Sequence, residues 1–168
     1  MPAETLADLF HDTLRDVYWA EKHLVKALPK LARKTSNPTL TKALEDHRSE
    51  TESQVDRLEQ VFAAIDKAPR GKKCEAMVGL SAEADHVVEE TEKGPLRDSG
   101  IIAAAQAVEH YEIARYTTLI AWAELLGLAA AVRLLNQTLE EEKAADETLA
   151  GLSENINPDA EIEEREAA

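Results

Sequence analysis

The chain has 168 residues, of which 44% are hydrophobic and 31% are charged, so its length and composition fit one soluble domain with a single core. Its net charge of −14 would repel phosphate backbones, which argues against a nucleic-acid partner. No apolar run approaches the ~20 residues of a membrane span and the N-terminus lacks a secretory pattern, so we expect a cytoplasmic protein with no membrane partner.

Helical periodicity accounts for most of the sequence, which is rich in Ala, Leu, Glu and Lys and contains only 6 Gly and 6 Pro. The first helix is predicted over residues 4–34, where Pro29 should introduce a kink. Cap residues before Pro38 predict that the second helix begins there. The predicted helices are 4–34, 38–66, a connecting helix at about 74–93, a helix from the cap at Asp98 and Ser99 to about Leu126, and 129–152.

The connections between the four long helices are short, long and short, because the second connection spans residues 67–98. A bundle whose second and third helices run parallel needs a long crossover of this kind. The sequence therefore predicts an all-α, ferritin-like antiparallel four-helix bundle over residues 1–156, with an extra helix in the crossover. Residues 157–168 form an acidic tail with few apolar side chains, which we expect to be disordered.

Several acidic residues lie on the apolar faces of these helices. Residues seven apart on a helix point in nearly the same direction, so a residue between two apolar heptad neighbours faces the core. By this criterion Glu21 and Glu142 face inward, and so do Glu109 and Glu112. In the second helix His47 lies between Leu40 and Gln54 and Glu50 lies beside it, although Arg57 extends the Glu50 line and weakens that assignment.

These positions fall near the middle of each helix, so their side chains could meet at one level of the bundle. Isolated charges in a dry interior are costly unless they are protonated, paired or bound to metal. No Lys or Arg has a matching inward phase in the first, third or fourth long helix. The pattern predicts a pair of divalent cations, iron or manganese, held by Glu and His; the alternative is that these are boundary residues whose carboxylates reach water.

The same residues carry a resemblance to a known family, the YciF-like branch of the ferritin-like superfamily, over essentially residues 4–152. Members of this branch are bacterial stress-associated proteins, and the resemblance implies a homodimer with a rubrerythrin-like arrangement of metal ligands. The motifs are Asp16-Val17-Tyr18-Trp19-Ala20-Glu21-Lys22, His47 to Glu59, Ala104 to Ala114 with its Glu109-His110-Tyr111-Glu112 core, and Glu141-Glu142-Lys143-Ala144-Ala145-Asp146.

The resemblance also implies roles for individual residues. Glu21 and either Glu109 or Glu112 would each bind one ion, whereas Glu50 and Glu142 would bridge two. The sequence departs from the superfamily pattern where the two histidines belong: Ser53 and Ala145 occupy those positions, while His47 and Asp146 lie nearby. The candidate ligands are therefore Glu21, His47, Glu50, Glu109, Glu112, Glu142 and Asp146, a carboxylate-rich set that favours iron or manganese or else marks a degenerate site.

Two functions follow from these residues. In the first, the protein is a redox metalloprotein that oxidises ferrous iron or consumes peroxide at a two-metal centre. In the second, it is a metal-free oligomeric scaffold or stress protein, and its inward carboxylates are satisfied by protons or hydrogen bonds. The sequence assigns no catalytic residue.

Overall fold

The computed structural model describes residues 3–167, with side chains for residues 3–162, and this part of the chain is helical with no strand. Four long helices and one shorter connecting helix follow the predicted order, which confirms the all-α bundle with a long central crossover. The helices are α1 (Leu6–Ala32), α2 (Pro38–Ala64), α3 (Glu75–Glu90), α4 (Pro95–Leu125) and α5 (Ala129–Ala167). Every helix in these residues is too short or too polar to cross a lipid bilayer.

The four long helices pack as a closed ring. Helix α1 contacts α2 and α4, helix α5 contacts α4 and α2, and α3 lies mainly against α4. The connections at 33–37 and 126–128 are short, which makes α1 and α2 antiparallel neighbours and α4 and α5 likewise. Gly127 ends α4 in a left-handed conformation with φ of 70°, as expected for a C-terminal stop.

Local capping explains where the helices start. The Thr5 hydroxyl accepts a hydrogen bond from the Asp8 amide at 3.1 Å. The Asn37 side chain accepts one from the Thr39 amide at 2.9 Å, just before the predicted Pro38 start. Cys74 caps α3, since its sulfur accepts from a backbone amide. These ends lie within about two residues of those predicted from the sequence.

The predicted start of α4 is wrong, because the helix begins at Pro95 rather than after a cap at Asp98 and Ser99. Proline suits the first helical position, where a backbone N–H has no partner to lose. Asp98 is instead buried against the loop between α1 and α2. Its carboxylate accepts hydrogen bonds from the Ser36 amide at 2.8 Å and the Asn37 amide at 2.7 Å, which fixes that loop to α4.

Replacing Asp98 with alanine is expected to destabilise the bundle by about 2 kcal/mol, because two backbone N–H groups would lose a charged acceptor. Thermal unfolding should show the loss, and Asp98→Asn, which keeps one acceptor oxygen, should lose less. Metal binding should be unaffected, since Asp98 lies at one end of the bundle. An unchanged melting temperature in Asp98→Ala would show that this loop needs no anchor.

Helix α5 continues well beyond residue 152, where we predicted its end, and includes most of the segment expected to be disordered. Leu149, Leu152, Ile156 and Ala160 recur at helical spacing and pack toward the core. Of these residues only Ala160 lies in the acidic segment 157–168, whose composition hid this apolar pattern. The Ser99 hydroxyl also donates to the Asn157 side chain at 2.7 Å. Residue 168 lies outside the described residues, and the division into a bundle of 1–156 and a separate tail stays a prediction.

The core consists of two apolar clusters separated along the bundle axis. Each long helix contributes to both, and a layer of polar residues lies between them. The first cluster includes Phe10, Leu14, Leu58, Phe62, Leu119 and Leu135. The second includes Leu24, Leu28, Leu40, Leu44, Ile101, Ile102 and Leu149.

Candidate metal centre

The polar layer between the two apolar clusters contains buried ionisable side chains from all four long helices. Each follows from the sequence pattern, since it interrupts an apolar stripe near the middle of its helix. The carboxylates come from Glu21 on α1, Glu109 and Glu112 on α4, and Glu142 on α5, and α2 contributes His47. Each of the four long helices therefore contributes at least one buried ionisable side chain to the layer.

Four of these side chains are close enough to share one ion. His47, Glu109, Glu112 and Glu142 each offer a ligand atom, and these atoms all lie within 4.8 Å of one another. The His47 Nε2 atom is 3.1 Å from Glu109 Oε1. The contact does not have hydrogen-bond geometry, but it is an ion pair when His47 is protonated.

These carboxylates also lack Lys or Arg partners. Within the described side chains no Lys or Arg lies within ion-pair distance of Glu21, Glu109, Glu112 or Glu142. Buried polar atoms are normally hydrogen-bonded, and unpaired buried charges cost several kcal/mol. The unpartnered atoms are both oxygens of Glu112 and of Glu142, one oxygen of Glu21, one of Glu109, and both ring nitrogens of His47.

The environment shifts the protonation equilibria of this layer. Burial away from water raises the pKa of the Glu112 and Glu142 carboxyls well above its ordinary value, and the negative charge of Glu21 raises both further. Burial likewise raises the pKa of Glu21 to about 7, although the hydrogen bond from Tyr116 acts in the opposite direction. Without a cation these carboxyls therefore favour their neutral forms.

His47 responds differently because it carries positive charge when protonated. Burial lowers its pKa, but the carboxylates of Glu109 and Glu50 beside its ring nitrogens outweigh burial and raise the pKa well above the ordinary value. A protonated His47 and an ionised Glu109 would form an ion pair in the absence of metal.

Tyr116 is a further buried residue of this layer, one heptad from Glu109 on α4. Its hydroxyl donates a hydrogen bond to Glu21 Oε1. Burial raises the pKa of Tyr116 well above its usual value, so it remains a neutral donor. It thereby orients one carboxylate oxygen of Glu21 and leaves the other free for a ligand.

Three candidate ligands lie outside the group of four. Glu21 is fully buried in the layer but is not among the four. The Glu50 side chain is half exposed, and its Oε2 atom is 3.7 Å from His47 Nδ1 at the edge of the layer. Asp146 is instead paired with His110 at 3.2 Å and accepts a hydrogen bond from Gln106 at 3.1 Å. The assignment of metal to any of the seven candidate residues stays a prediction.

Sequence reasoning missed a network that ties α2 to α5 beside the layer. Arg57 forms two hydrogen bonds with the Glu141 carboxylate at 2.8 and 2.9 Å, and one with the Thr138 hydroxyl at 2.7 Å. Gln54 donates to the same carboxylate at 3.1 Å. Arg57, which weakened the assignment of Glu50 to the core face of α2, is therefore paired with Glu141 on α5. Periodicity could not pair these residues because they lie 84 positions apart.

The chain is similar in sequence and in structure to several known proteins. The sequence profile of a domain of unknown function, DUF892, matches residues 5–161. Protein YciF of Escherichia coli strain K12 is 49% identical over 163 residues, covering 96% of this chain and 98% of that protein. The crystal structure of the E. coli stress protein YciF superposes with a TM-score of 0.90 at 48% identity, covering 93% of this chain and 99% of that one. YcfI from Rhodopseudomonas palustris, which has been proposed to be a structural protein, gives a TM-score of 0.86 at 48% identity, covering 88% and 94%.

Proposed function

The chain belongs to the DUF892 family and is similar to protein YciF, and we propose that the chain is a metalloprotein with a carboxylate-bridged two-metal centre. One observation carries the proposal: four buried carboxylates from three helices and an imidazole from the fourth lie in one dry layer, and no Lys or Arg among the described side chains pairs with them. Bound divalent cations would supply that charge.

The charge of the layer supports two ions rather than one. Ionised Glu21, Glu109, Glu112 and Glu142 carry four negative charges, which two divalent cations would balance. His47, Glu109, Glu112 and Glu142 would hold one ion, and Glu21 with the remaining oxygens of Glu112 and Glu142 would hold the second. Glu50 could move inward from its half-exposed position to join them.

The donor set favours iron or manganese. Carboxylate oxygens with one imidazole form a hard, oxygen-rich site, and the described side chains contribute no thiolate to it. Such ions supply redox chemistry in carboxylate-rich bundles, so we propose ferrous iron oxidation or peroxide consumption as the reaction. The protein would orient the ligands, exclude bulk water and hold the Tyr116 proton on its hydroxyl beside Glu21.

Elemental analysis tests this proposal directly. Protein purified without chelators, or reconstituted with ferrous iron or manganese under argon, is expected to contain about two ions per chain after desalting. A protein that retains no transition metal under either treatment would end the metalloprotein proposal.

A metal-free scaffold is the alternative, and one observation favours it. The raised pKa values of Glu112 and Glu142 allow protons to neutralise those carboxyls, while His47 pairs with Glu109. In that case the layer would be satisfied without metal, and unfolding would not respond to chelators.

The homodimer implied by the family resemblance and the cytoplasmic location expected from the sequence belong to the proposal as well. Light scattering of the purified protein across a range of concentrations would measure the oligomeric state. The metal centre does not depend on the oligomeric state, since the grouped ligands come from one chain.

A further inference from the structure

A cavity between α2 and α5 opens onto the candidate metal centre from one side of the bundle. We call it the Ala145 cavity, and its volume is about 180 Å³. Residues that line it include His47 and Glu50 on α2, Glu109 on α4, and Ala144, Ala145 and Thr148 on α5.

The inner end of the Ala145 cavity is formed by buried polar groups. His47 and Glu109 are both nearly inaccessible to solvent, and the His47 ring nitrogens and one Glu109 oxygen have no hydrogen-bond partner. A cavity that ends on unpartnered donors and acceptors is suited to a polar molecule rather than to an apolar one.

The cavity exists because small side chains lie where a larger one would reach the cluster. Ala145 follows Glu142 by three residues and so lies on the same side of α5. Ala43 faces it from α2. Both are half-buried alanines, so no side chain from either helix occupies the space beside His47 and Glu109.

The charges around the cavity select against anions. No Lys or Arg is among the residues that line it, and the Asp46 and Glu50 carboxylates lie near its mouth. Lys42 pairs with Asp46 outside, but Glu50 has no lysine or arginine partner among the described side chains. A small anion would therefore meet negative charge at the mouth of the cavity, and no Lys or Arg inside it would attract the anion.

We propose that the Ala145 cavity admits and binds a small neutral molecule that can act as a metal ligand, of the class of hydrogen peroxide, next to His47 and Glu109. The volume greatly exceeds the ~10–15 Å³ that a single water requires, so a molecule of a few heavy atoms fits. This inference rests on the proposed function, because the bound molecule would complete the ligand set of an ion held there.

A second groove provides an internal control. It has a volume of about 290 Å³, lies between α1, α3 and α4, and also reaches Glu109. Its walls are mainly aliphatic, with Leu24, Leu28, Ala84 and Val108 among them. Ala104 in this groove is half buried like Ala145, so the same alanine-to-phenylalanine change can be made in either cavity.

The test uses cobalt(II) as a spectroscopic probe of the centre and imidazole as a neutral donor at about pH 8. Cobalt stoichiometry is measured first, and then imidazole is titrated while the visible spectrum is recorded. Wild-type protein and Ala104→Phe should show a saturable spectral change. Ala145→Phe should keep its cobalt but bind imidazole at least ~10-fold more weakly, a difference of about 1.4 kcal/mol.

Two further arms make the outcome decisive. Ala43→Phe fills the cavity from the opposite wall and should reproduce the effect, which covers the case that Ala145→Phe fails to fold. Azide, a small anion, should need at least ~10-fold higher concentration than imidazole to change the spectrum. Equal response to azide would overturn the neutral-ligand assignment.

The possible failures are distinguishable. If cobalt does not bind, the proposed function is wrong, and this inference is wrong as well because it depends on the metal centre. If cobalt binds at two ions per chain but imidazole changes nothing, or if both cavity-filled variants respond like wild type, the inference alone is overturned.

Discussion

Replacing Glu142 with glutamine should lower metal affinity by at least ~100-fold and, at the same time, stabilise the metal-free protein at about pH 8. Even partners that only orient metal ligands contribute 10–100-fold to affinity, so a direct carboxylate ligand should contribute at least the upper end of that range. Competition against a fluorescent chelator would measure the affinity, and urea unfolding of the metal-free protein would measure the stability.

The opposite signs follow from the surroundings of Glu142. Both of its oxygens are buried and have no hydrogen-bond donor, and its carboxyl lies near Glu21 and Glu109. A neutral amide avoids the cost of either ionising or protonating a buried carboxyl in this crowded layer, and unpaired charge of this kind costs several kcal/mol in a protein interior. A residue kept only for stability would change in the other direction.

Glu140→Gln is the matched control, two residues earlier on the same helix. Glu140 is exposed and pairs with Lys143 at 2.8 Å, a surface contact that contributes at most about 1 kcal/mol. It should retain metal and lose little or no stability. If Glu142→Gln keeps both ions and destabilises the metal-free protein, Glu142 is a structural residue and the proposed centre is wrong.

The bundle could be predicted well from the sequence because two independent signals indicate each helix. These signals are the apolar periodicity along the helix and the capping residues at its ends. Pro38 and Gly127 begin and end helices where expected. The errors arose where a local marker had a tertiary role. Asp98 looked like a helix cap but binds the α1–α2 loop, and Ala160 is buried in a segment whose acidic composition suggested disorder.

The inward direction of the candidate ligands could be predicted, but their partners could not. Heptad neighbours placed Glu21 and Glu142 in the core, and both are fully buried. Periodicity could not show that Asp146 pairs with His110, because that contact depends on how α4 and α5 are rotated against each other. For the same reason it could not show that Glu141 engages Arg57.

The layer combines two properties that conflict in a metal-free protein. It specifies one geometry through four helices, and it concentrates carboxylates that cannot all be ionised together. Protons can resolve the conflict at low pH and cations can resolve it at higher pH. Whichever neutralises the layer should therefore control the stability of the whole bundle.

Metal-free protein is accordingly expected to be more stable at about pH 5.5 than at about pH 8.5. The carboxyl of Glu21 has a folded pKa of about 7 against an ordinary value of 4.5, so the folded state binds the proton more tightly than the unfolded state. The penalty is absent below the ordinary value, grows as the pH rises toward 7, and is fully present above it. Differential scanning calorimetry with a chelator present would measure the change.

Other ionisable groups of the layer also make the metal-free protein less stable as the pH rises. The pKa values of Glu112 and Glu142 are also raised, so their ionisation destabilises the fold as the pH increases. His47 has a raised pKa as well, and its ion pair with Glu109 contributes stability that is lost when the pH passes the folded value. Between pH 5.5 and pH 8.5 Glu21 alone corresponds to about 2 kcal/mol, or roughly 4–8 °C in melting temperature for a chain of this size.

Divalent metal should reverse this trend, because it binds the deprotonated ligands and so stabilises the folded state more at pH 8.5 than at pH 5.5. Adding manganese should raise the melting temperature at the higher pH, and a chelator should remove the increase. Glu140→Gln should keep the pH dependence of the metal-free protein, whereas Glu142→Gln should flatten it. A wild-type melting temperature that is the same at both pH values and with manganese or chelator would mean that the buried carboxyls neither titrate nor bind metal, which contradicts the physical basis of the proposed centre.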